Sequence, residues 1–323
     1  MKRIYILMVF YFVGVACVLA QQAPQSAADD TDRLMKQTQN PVASLISVPF
    51  QNNLNYPIGP FTRYQNILNI QPVIPVGIGK WNLITRSILP VINRQDPLSK
   101  GGTRAGLGDL NITFFLSPAN PGKLIWGVGP VGLFPTATAS VLGVHKWGIG
   151  PSVVALVQPE HWTIGVITNN VWSFTGGDQT PVTTTDGSNR FANTPVVTTT
   201  VTNGSVITQV TRTDLPQRFI NGYDEFIDRG TKVNSFMLQY FVNRNFEKGW
   251  YLTSSPIITA NWELPSDEQW IVPFGGGIGR VFKMGDQPVN FQIQNFYNAI
   301  HPKTLPHPQW QFRMDFILLF PKE

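Results

Sequence analysis

The stretch Gln309 to Phe320 reads QWQFRMDFILLF, and its even positions Trp310, Phe312, Met314, Phe316, Leu318 and Phe320 are all large hydrophobes. A period of two places them on one face of a β-strand. The other parity carries Gln309, Gln311, Arg313 and Asp315 before turning apolar at Ile317 and Leu319. A strand with aromatics on one side and charges on the other fits a sheet with lipid on its apolar face. It ends on an aromatic close to the C-terminus, the expected form of the closing strand of an outer-membrane barrel.

The rest of the chain agrees with that constraint. Charged residues make up 13% of the 323 positions, about half the usual share, yet after the N-terminus no stretch is apolar enough for a membrane helix. A transmembrane β-barrel has this composition, because lipid-facing and lumen-facing residues alternate and average out along each strand. The chain opens on Met1-Lys2-Arg3, an apolar run from Ile4 to Leu19 and Val18-Leu19-Ala20 before Gln21. This predicts a secretory signal peptide over residues 1–20, with an uncleaved anchor helix or lipidation of Cys17 as alternatives. Cys17 is the one cysteine, so cleavage after Ala20 excludes disulfide and thiolate chemistry.

Residues 21–41 are polar and helix-compatible and read as a periplasmic lead-in. From Val42 strand periods punctuated by Gly, Pro and Asn predict an all-β, antiparallel transmembrane barrel of about twelve strands over residues 42–320, with a tail at 321–323. The strands fall near 42–51, 62–76, 81–92, 107–116, 124–134, 146–157, 161–173, 232–243, 250–263, 269–282, 288–299 and 309–320. Short connections are expected on the periplasmic side. Longer ones, including Asn52 to Phe61, Asn93 to Gly106 and a Thr-rich loop at 174–231, are expected outside. Thr183 to Thr213 reads as a mobile, low-complexity surface segment. Prolines 72, 130, 151, 256 and 273 interrupt the strands and require bulges. One bulge is expected at Gly275-Gly276-Gly277, switching parity so that Arg280 faces inward.

Trp250 and Trp262 share a face twelve positions apart, which puts roughly 28 Å between them along the membrane normal at ~3.3 Å per residue and ~45° tilt. Together with Trp310 and Phe320 they are the candidate membrane-interface aromatics. The candidate lumen-lining or constriction residues are Asp109, Asn111, Glu263, Arg313 and Asp315 by parity. Arg86 and Arg280 join them because a lipid-facing arginine near the midplane costs about 2–4 kcal/mol. Such charges either pair across a closed lumen or filter solutes at a constriction. A barrel of this size lies between one just filled by side chains and one with a wide channel, so its lumen is expected to be narrow, with the lead-in before Pro41 as an occluding element.

Several segments resemble a known group. Asn40 to Asn53 (NPVASLISVPFQNN), Gly106-Leu107-Gly108-Asp109, Phe114 to Ala119, Leu133 to Thr138, Asn169 to Ser173 and Tyr251 to Trp262 are similar to outer-membrane transporter-like proteins of the meta-pathway phenol-degradation protein family. The resemblance implies a Gram-negative outer-membrane location and passage of small, apolar or aromatic molecules. Implied partners are outer-membrane lipid and lipopolysaccharide, the solute, and the barrel-assembly machinery acting on the C-terminal strand.

No enzymatic motif accompanies these features. The Gly275 to Gly279 run lacks the lysine and helix of a phosphate loop. The four histidines, 145, 161, 301 and 307, fall at strand ends or in connections without metal-ligand spacing. A lipid hydrolase would need a serine and a histidine base near the membrane edge, and no histidine sits two residues from a serine on a strand. No cofactor, metal or catalytic residue is expected, and the small positive charge of +5 is too diffuse for nucleic acid. The expected function is therefore a passive small-molecule channel. A non-conducting structural or surface-interaction barrel and a secreted soluble β-sandwich are the alternatives from other classes.

Overall fold

The computed structural model describes residues 25–97, 101–139, 141–176, 197–202, 205–210 and 232–321. The expected signal peptide with Cys17, and most of the Thr-rich loop, lie outside the described residues.

Fifteen strand segments form one antiparallel sheet that closes on itself. Three staves are each interrupted once, so the wall is a barrel of twelve strands. We number them β1 (Ile46–Ile58), β2 (Arg63–Ile70 and Val73–Ile78), β3 (Trp81–Gln95), β4 (Thr103–Leu107 and Leu110–Pro118), β5 (Leu124–Phe134) and β6 (Lys146–Val157). The second half is β7 (Trp162–Gly176), β8 (Asn234–Asn245), β9 (Trp250–Ser254 and Ile257–Asn261), β10 (Trp270–Met284), β11 (Gln287–Ile300) and β12 (Pro308–Phe320). Each strand pairs with the next, and β12 closes on β1 from Ile46↔Phe320 to Ile58↔Pro308. The barrel sheet leaves no open edge, which is what a hydrocarbon solvent demands of β-structure. The sandwich alternative is thereby excluded.

Where prolines interrupt two of the staves, side-chain or out-of-register backbone hydrogen bonds satisfy the neighbouring groups. At Ser255-Pro256, between the two halves of β9, the Ser255 N–H donates to Gln294 Oε1 at 3.0 Å and the Ser255 carbonyl accepts from Arg313 Nη1 at 2.8 Å. At Gln71-Pro72 in β2 the Gln71 N–H bonds the Pro49 carbonyl and the Pro72 carbonyl accepts from the Ser87 N–H.

Outward parity defines the lipid face. All nine tryptophans fall in two belts. Trp81, Trp126, Trp162 and Trp250 are at the end carrying the short turns, and Trp147, Trp172, Trp262, Trp270 and Trp310 are at the opposite end. Edge-to-face pairs reinforce both belts, with Trp81–Trp126 centroids 6.0 Å apart and Trp262–Trp270 centroids 5.3 Å apart. Between the belts, Phe114, Leu116, Val153, Leu252, Phe312 and Met314 are exposed on the outer surface. In an aqueous protein such a patch is a liability; in a bilayer it is the solvent-matched surface. Short turns mark the periplasmic end of outer-membrane barrels, and we call that end inner.

Three expectations about the strands require correction. Val42 to Leu45 do not begin β1, which starts at Ile46 and continues through the expected loop to Ile58. Their apolar side chains are spent inside the lumen, as described below. The strands reach into the loop expected at Asn93 to Gly106, since β3 runs to Gln95 and β4 begins at Thr103. Finally, Gly275 to Gly277 pair in regular register with Phe296, Asn295 and Gln294, and the irregularity lies instead between Val272 and Pro273. Within the expected Thr-rich loop, Val197–Thr202 and Ser205–Val210 form a separate antiparallel hairpin.

A helix, α1 (Gln25–Thr38), precedes the barrel. Asn40-Pro41 ends it, since the residue before proline is pushed out of helical geometry, and Asn40 Oδ1 then accepts the Val42 N–H at 3.0 Å in a side-chain-capped turn. That turn sends residues 39–45 across the inner mouth of the barrel. No helix among the described residues is long and apolar enough to cross a membrane.

Candidate functional site: the plugged lumen

Helix α1 and residues 39–45 form a plug. Leu34 and Met35 of the helix, with Ala43 and Leu45, pack on Tyr251, Val281 and Leu319 of the wall, flanked by Ile317. Val42 packs on a second inward cluster that includes Ile84, Phe115, Val154 and Phe241. Each fully buried Leu or Met contributes about 1.5–3 kcal/mol, so these contacts seat the plug firmly. Gly249, at φ +76°, lies where a side chain would strike the Val281 carbonyl and press on Thr31 of the helix, so its lack of one allows the close approach.

Polar staples surround the plug. Asn82 of β3 donates to Ser44 Oγ at 3.0 Å, Gln158 of the β6–β7 turn to the Lys36 carbonyl at 2.8 Å, Gln39 to Asn245 Oδ1 of β8 at 2.8 Å, and Asn290 of β11 to Thr38 Oγ1 at 3.3 Å. Each such bond adds about 0.5–1.5 kcal/mol. Their distribution around the circumference fixes the plug's position.

Between the plug and the wall lies a cavity of about 170 Å³. Its polar lining comes from inward positions of strands far apart in sequence, including Gln51, Gln71, Arg86, Gln239, Gln292 and Asp315. Arg86 Nη2 donates to Gln71 Oε1 at 2.8 Å, and Gln71 Nε2 donates to Gln51 Oε1 at 3.2 Å. Gln51 is paired with Asp315 across β1 and β12, and Gln292 of β11 donates to Asp315 Oδ2 from the other side. Asp315 is 2% exposed.

The structure brings two of the candidate lumen residues, Arg86 and Asp315, to this cavity and distributes the others. Arg313 faces inward and is 1% exposed, but it does not line the cavity. Its guanidinium donates to Asn53 Oδ1 at 3.0 Å, the Ser255 carbonyl at 2.8 Å and Gln311 Oε1 at 3.0 Å, and lies 4.8 Å from the Phe296 ring centroid. This is a brace across β12, β1 and β9. Asn111 is on the inward parity of β4, alternating with outward Phe114 and Leu116. Asp109 sits in the break of β4, where its carboxylate accepts the N–H groups of Ala137, Val144 and His145 at 3.1, 2.6 and 3.1 Å and so anchors an outer loop. Glu263 lies in the outer turn after β9, with its N–H bonded to Asn261 Oδ1.

The inward placement expected for Arg280 is overturned. In β10 the odd positions Gly279 and Val281 are buried inward, while Arg280 shares the outward parity of Phe274 and Ile278. Its guanidinium lies 5.0 Å from the Trp250 ring centroid and 5.9 Å from that of Phe282. The midplane penalty does not apply there. Arg280 is paired with Trp250 of the inner belt, at interface depth, where an outward arginine costs about 0–1 kcal/mol and the ring attracts the cation. Trp250, Trp262, Trp310 and Phe320 are all exposed on the outer surface.

Sequence reasoning did not single out Gln51, Gln71, Gln292 or the buried Glu268, which accepts the N–H groups of Lys303, Thr304 and Leu305 in an outer loop. For the glutamines the available signal was amide residues at inward parity; for Glu268 there was none. Among the described residues no group of three or more His, Cys, Asp or Glu is arranged to hold a metal.

No protein-family model and no curated protein matches the sequence. Solved structures do. An outer membrane channel from Pseudomonas putida F1 superposes with a TM-score of 0.53 at 13% identity, over 86% of this chain and 96% of that one. The NanC porin gives 0.45 at 9% identity over 85% and 100%, and the CymD monoaromatic hydrocarbon channel 0.40 at 9% over 89% and 93%. What the first of these establishes is a shared architecture, a closed antiparallel outer-membrane-type barrel.

Proposed function

We propose that this protein is an outer-membrane channel through which small molecules pass down their gradients, with no cofactor and no covalent chemistry. The observation that carries the reading is the polar cavity between plug and wall that is lined by Arg86 and Asp315. An inner face lined by amides and two charges is suited to hydrated solutes, whereas a barrel serving only as a scaffold can fill its interior with side chains. The plug restricts passage to small solutes. The resemblance of Asn40 to Asn53 and Tyr251 to Trp262 to the meta-pathway phenol-degradation group supports aromatic compounds among them, and supports placing the chain in that family. Lipopolysaccharide and the barrel-assembly machinery are partners that follow from the same location.

The rival reading, a non-conducting barrel, draws on the four staples that hold the plug. Ion conductance across a planar bilayer separates the two, because a sealed barrel inserts without current.

A further inference from the structure

The cavity holds two charges of opposite sign, the half-buried Arg86 and the buried Asp315, that do not pair with each other. Arg86 makes no ion pair among the described residues, and its guanidinium donates to the neutral amide of Gln71. Asp315 accepts from Gln292 through Oδ2, while its Oδ1 is buried without a hydrogen-bond partner. Arg313, two positions earlier on the same strand face, gives Asp315 a Coulombic counter-charge, as the Gln51 amide gives it further support, but the guanidinium's own hydrogen bonds go to Asn53, Ser255 and Gln311. A buried carboxylate oxygen without a donor is unfavourable unless something that enters the site supplies one.

We infer that this cavity is a solute-binding site for small ω-amino carboxylates, with the ammonium group held at Asp315 Oδ1 and the carboxylate at Arg86. The inference rests on the channel reading and names the class of solute that pauses in it. Complementarity supplies the first argument: an ammonium group is a three-donor cation matched to a partnerless carboxylate oxygen, and a carboxylate is the planar partner of a guanidinium. Geometry supplies the second. Arg86 on β3 and Asp315 on β12 are separated by β2 and β1, three strand spacings of ~4.8 Å, and both side chains reach inward, so the charged groups suit a ligand whose ends are several bonds apart better than an α-amino acid. Size supplies the third, since about 170 Å³ compares with the ~150 Å³ cavity that accommodates benzene. Tyr251 and the neighbouring amides leave the middle of the ligand in a polar surround, with Phe241 and Ile167 offering apolar contact to its methylenes.

The test is calorimetric titration of the full chain in detergent with 6-aminohexanoate, hexanoate, glycine and phenol, paired with addition of the same compounds during bilayer recordings. The expected result is saturable binding of 6-aminohexanoate, at least tenfold tighter than hexanoate or glycine, weakened at least tenfold by Arg86→Gln and by Asp315→Asn, with a matching partial block of current. The comparison among ligands on the unmodified protein stands even if a variant fails to fold. Equal binding of hexanoate and 6-aminohexanoate, binding of phenol alone, or no binding would overturn the site. Current steps that persist without block would do so while leaving the channel reading intact; binding without any current would count against the channel and not the site.

Discussion

Arg86 and Asp315 stand at the two ends of a glutamine relay on the lumen wall: Arg86 donates to Gln71, Gln71 donates to Gln51, and Gln51 faces Asp315 in the register of β1 and β12. The relay crosses four strands and presents opposite charges to one cavity. It gives the lumen a polar band at the level where the plug segment closes the inner mouth. Charge changes at its ends are therefore expected to alter ion selectivity, unlike changes at the brace residue two positions away.

Arg313 supplies that contrast. Its bond to the Ser255 carbonyl stands in for a ladder bond beside Pro256, while its bonds to Asn53 and Gln311 and its contact with Phe296 tie the neighbouring strands to it. Arg313→Met leaves the Ser255 carbonyl and Asn53 without their donor, at about 1–3 kcal/mol for each buried group. The variant is expected to unfold at lower urea concentration in lipid vesicles, by about 2–5 kcal/mol in total. Unchanged stability would mean the brace is dispensable.

The plug can be fixed covalently. Asn82 Nδ2 and Ser44 Oγ are 3.0 Å apart, and the sequence has one cysteine, at position 17. Introducing Ser44→Cys with Asn82→Cys is expected to give a disulfide that holds the plug to β3. If solute passage needs plug movement, oxidation lowers conductance at least threefold and reductant restores it. Current that ignores redox state shows that solutes pass beside a stationary plug.

Arg280 is expected to behave as an interface residue. Arg280→Ala removes a contact with Trp250 that contributes about 0.5–1 kcal/mol at an exposed site, a small loss measurable by urea titration in vesicles. Ion selectivity is expected to stay the same. A selectivity change on this substitution would place the guanidinium in the lumen after all.

In the outer loop between β11 and β12, the rings of His301 and His307 stack with centroids 3.8 Å apart. Burial holds the His307 imidazole below its ordinary value, opposed in part by its hydrogen bond to the Leu305 carbonyl, with the charge of His301 lowering it and that of Glu268 raising it to smaller degrees. The neutral form is thus favoured in the folded loop, so the unfolded loop binds the proton more readily. Stability is present above the unfolded value of about 6.5 and declines as pH falls through the lower folded value. Amide protection across residues 301–307, taken relative to the intrinsic exchange rate at each pH, is expected to fall between pH 7.5 and 5, and His307→Gln to remove that dependence.

The strand pattern was legible because lipid on one side and a lumen on the other impose opposite demands at successive residues. All twelve staves were visible, and Trp250 with Trp262 marked the two belts. Two details were readable only after folding. Ile317 and Leu319 broke the alternation of β12 because the inward side at that level faces Leu34 and Met35 of the plug rather than water. Arg280 was misplaced because a penalty that depends on depth was applied without knowledge of depth. The relay of Gln51 and Gln71 joins residues twenty positions apart through strand register, which parity alone does not supply. Asp109 and Glu268 act on backbone N–H groups of loops, a role without a sequence pattern.

The most direct measurement is single-channel conductance of the refolded protein in a planar bilayer, comparing wild type with Arg86→Gln and Asp315→Asn. The account predicts discrete current steps, with anion preference reduced by the first substitution and cation preference reduced by the second. Stable insertion with no current, in wild type and in a Leu34→Asp variant that unseats the plug, would contradict it.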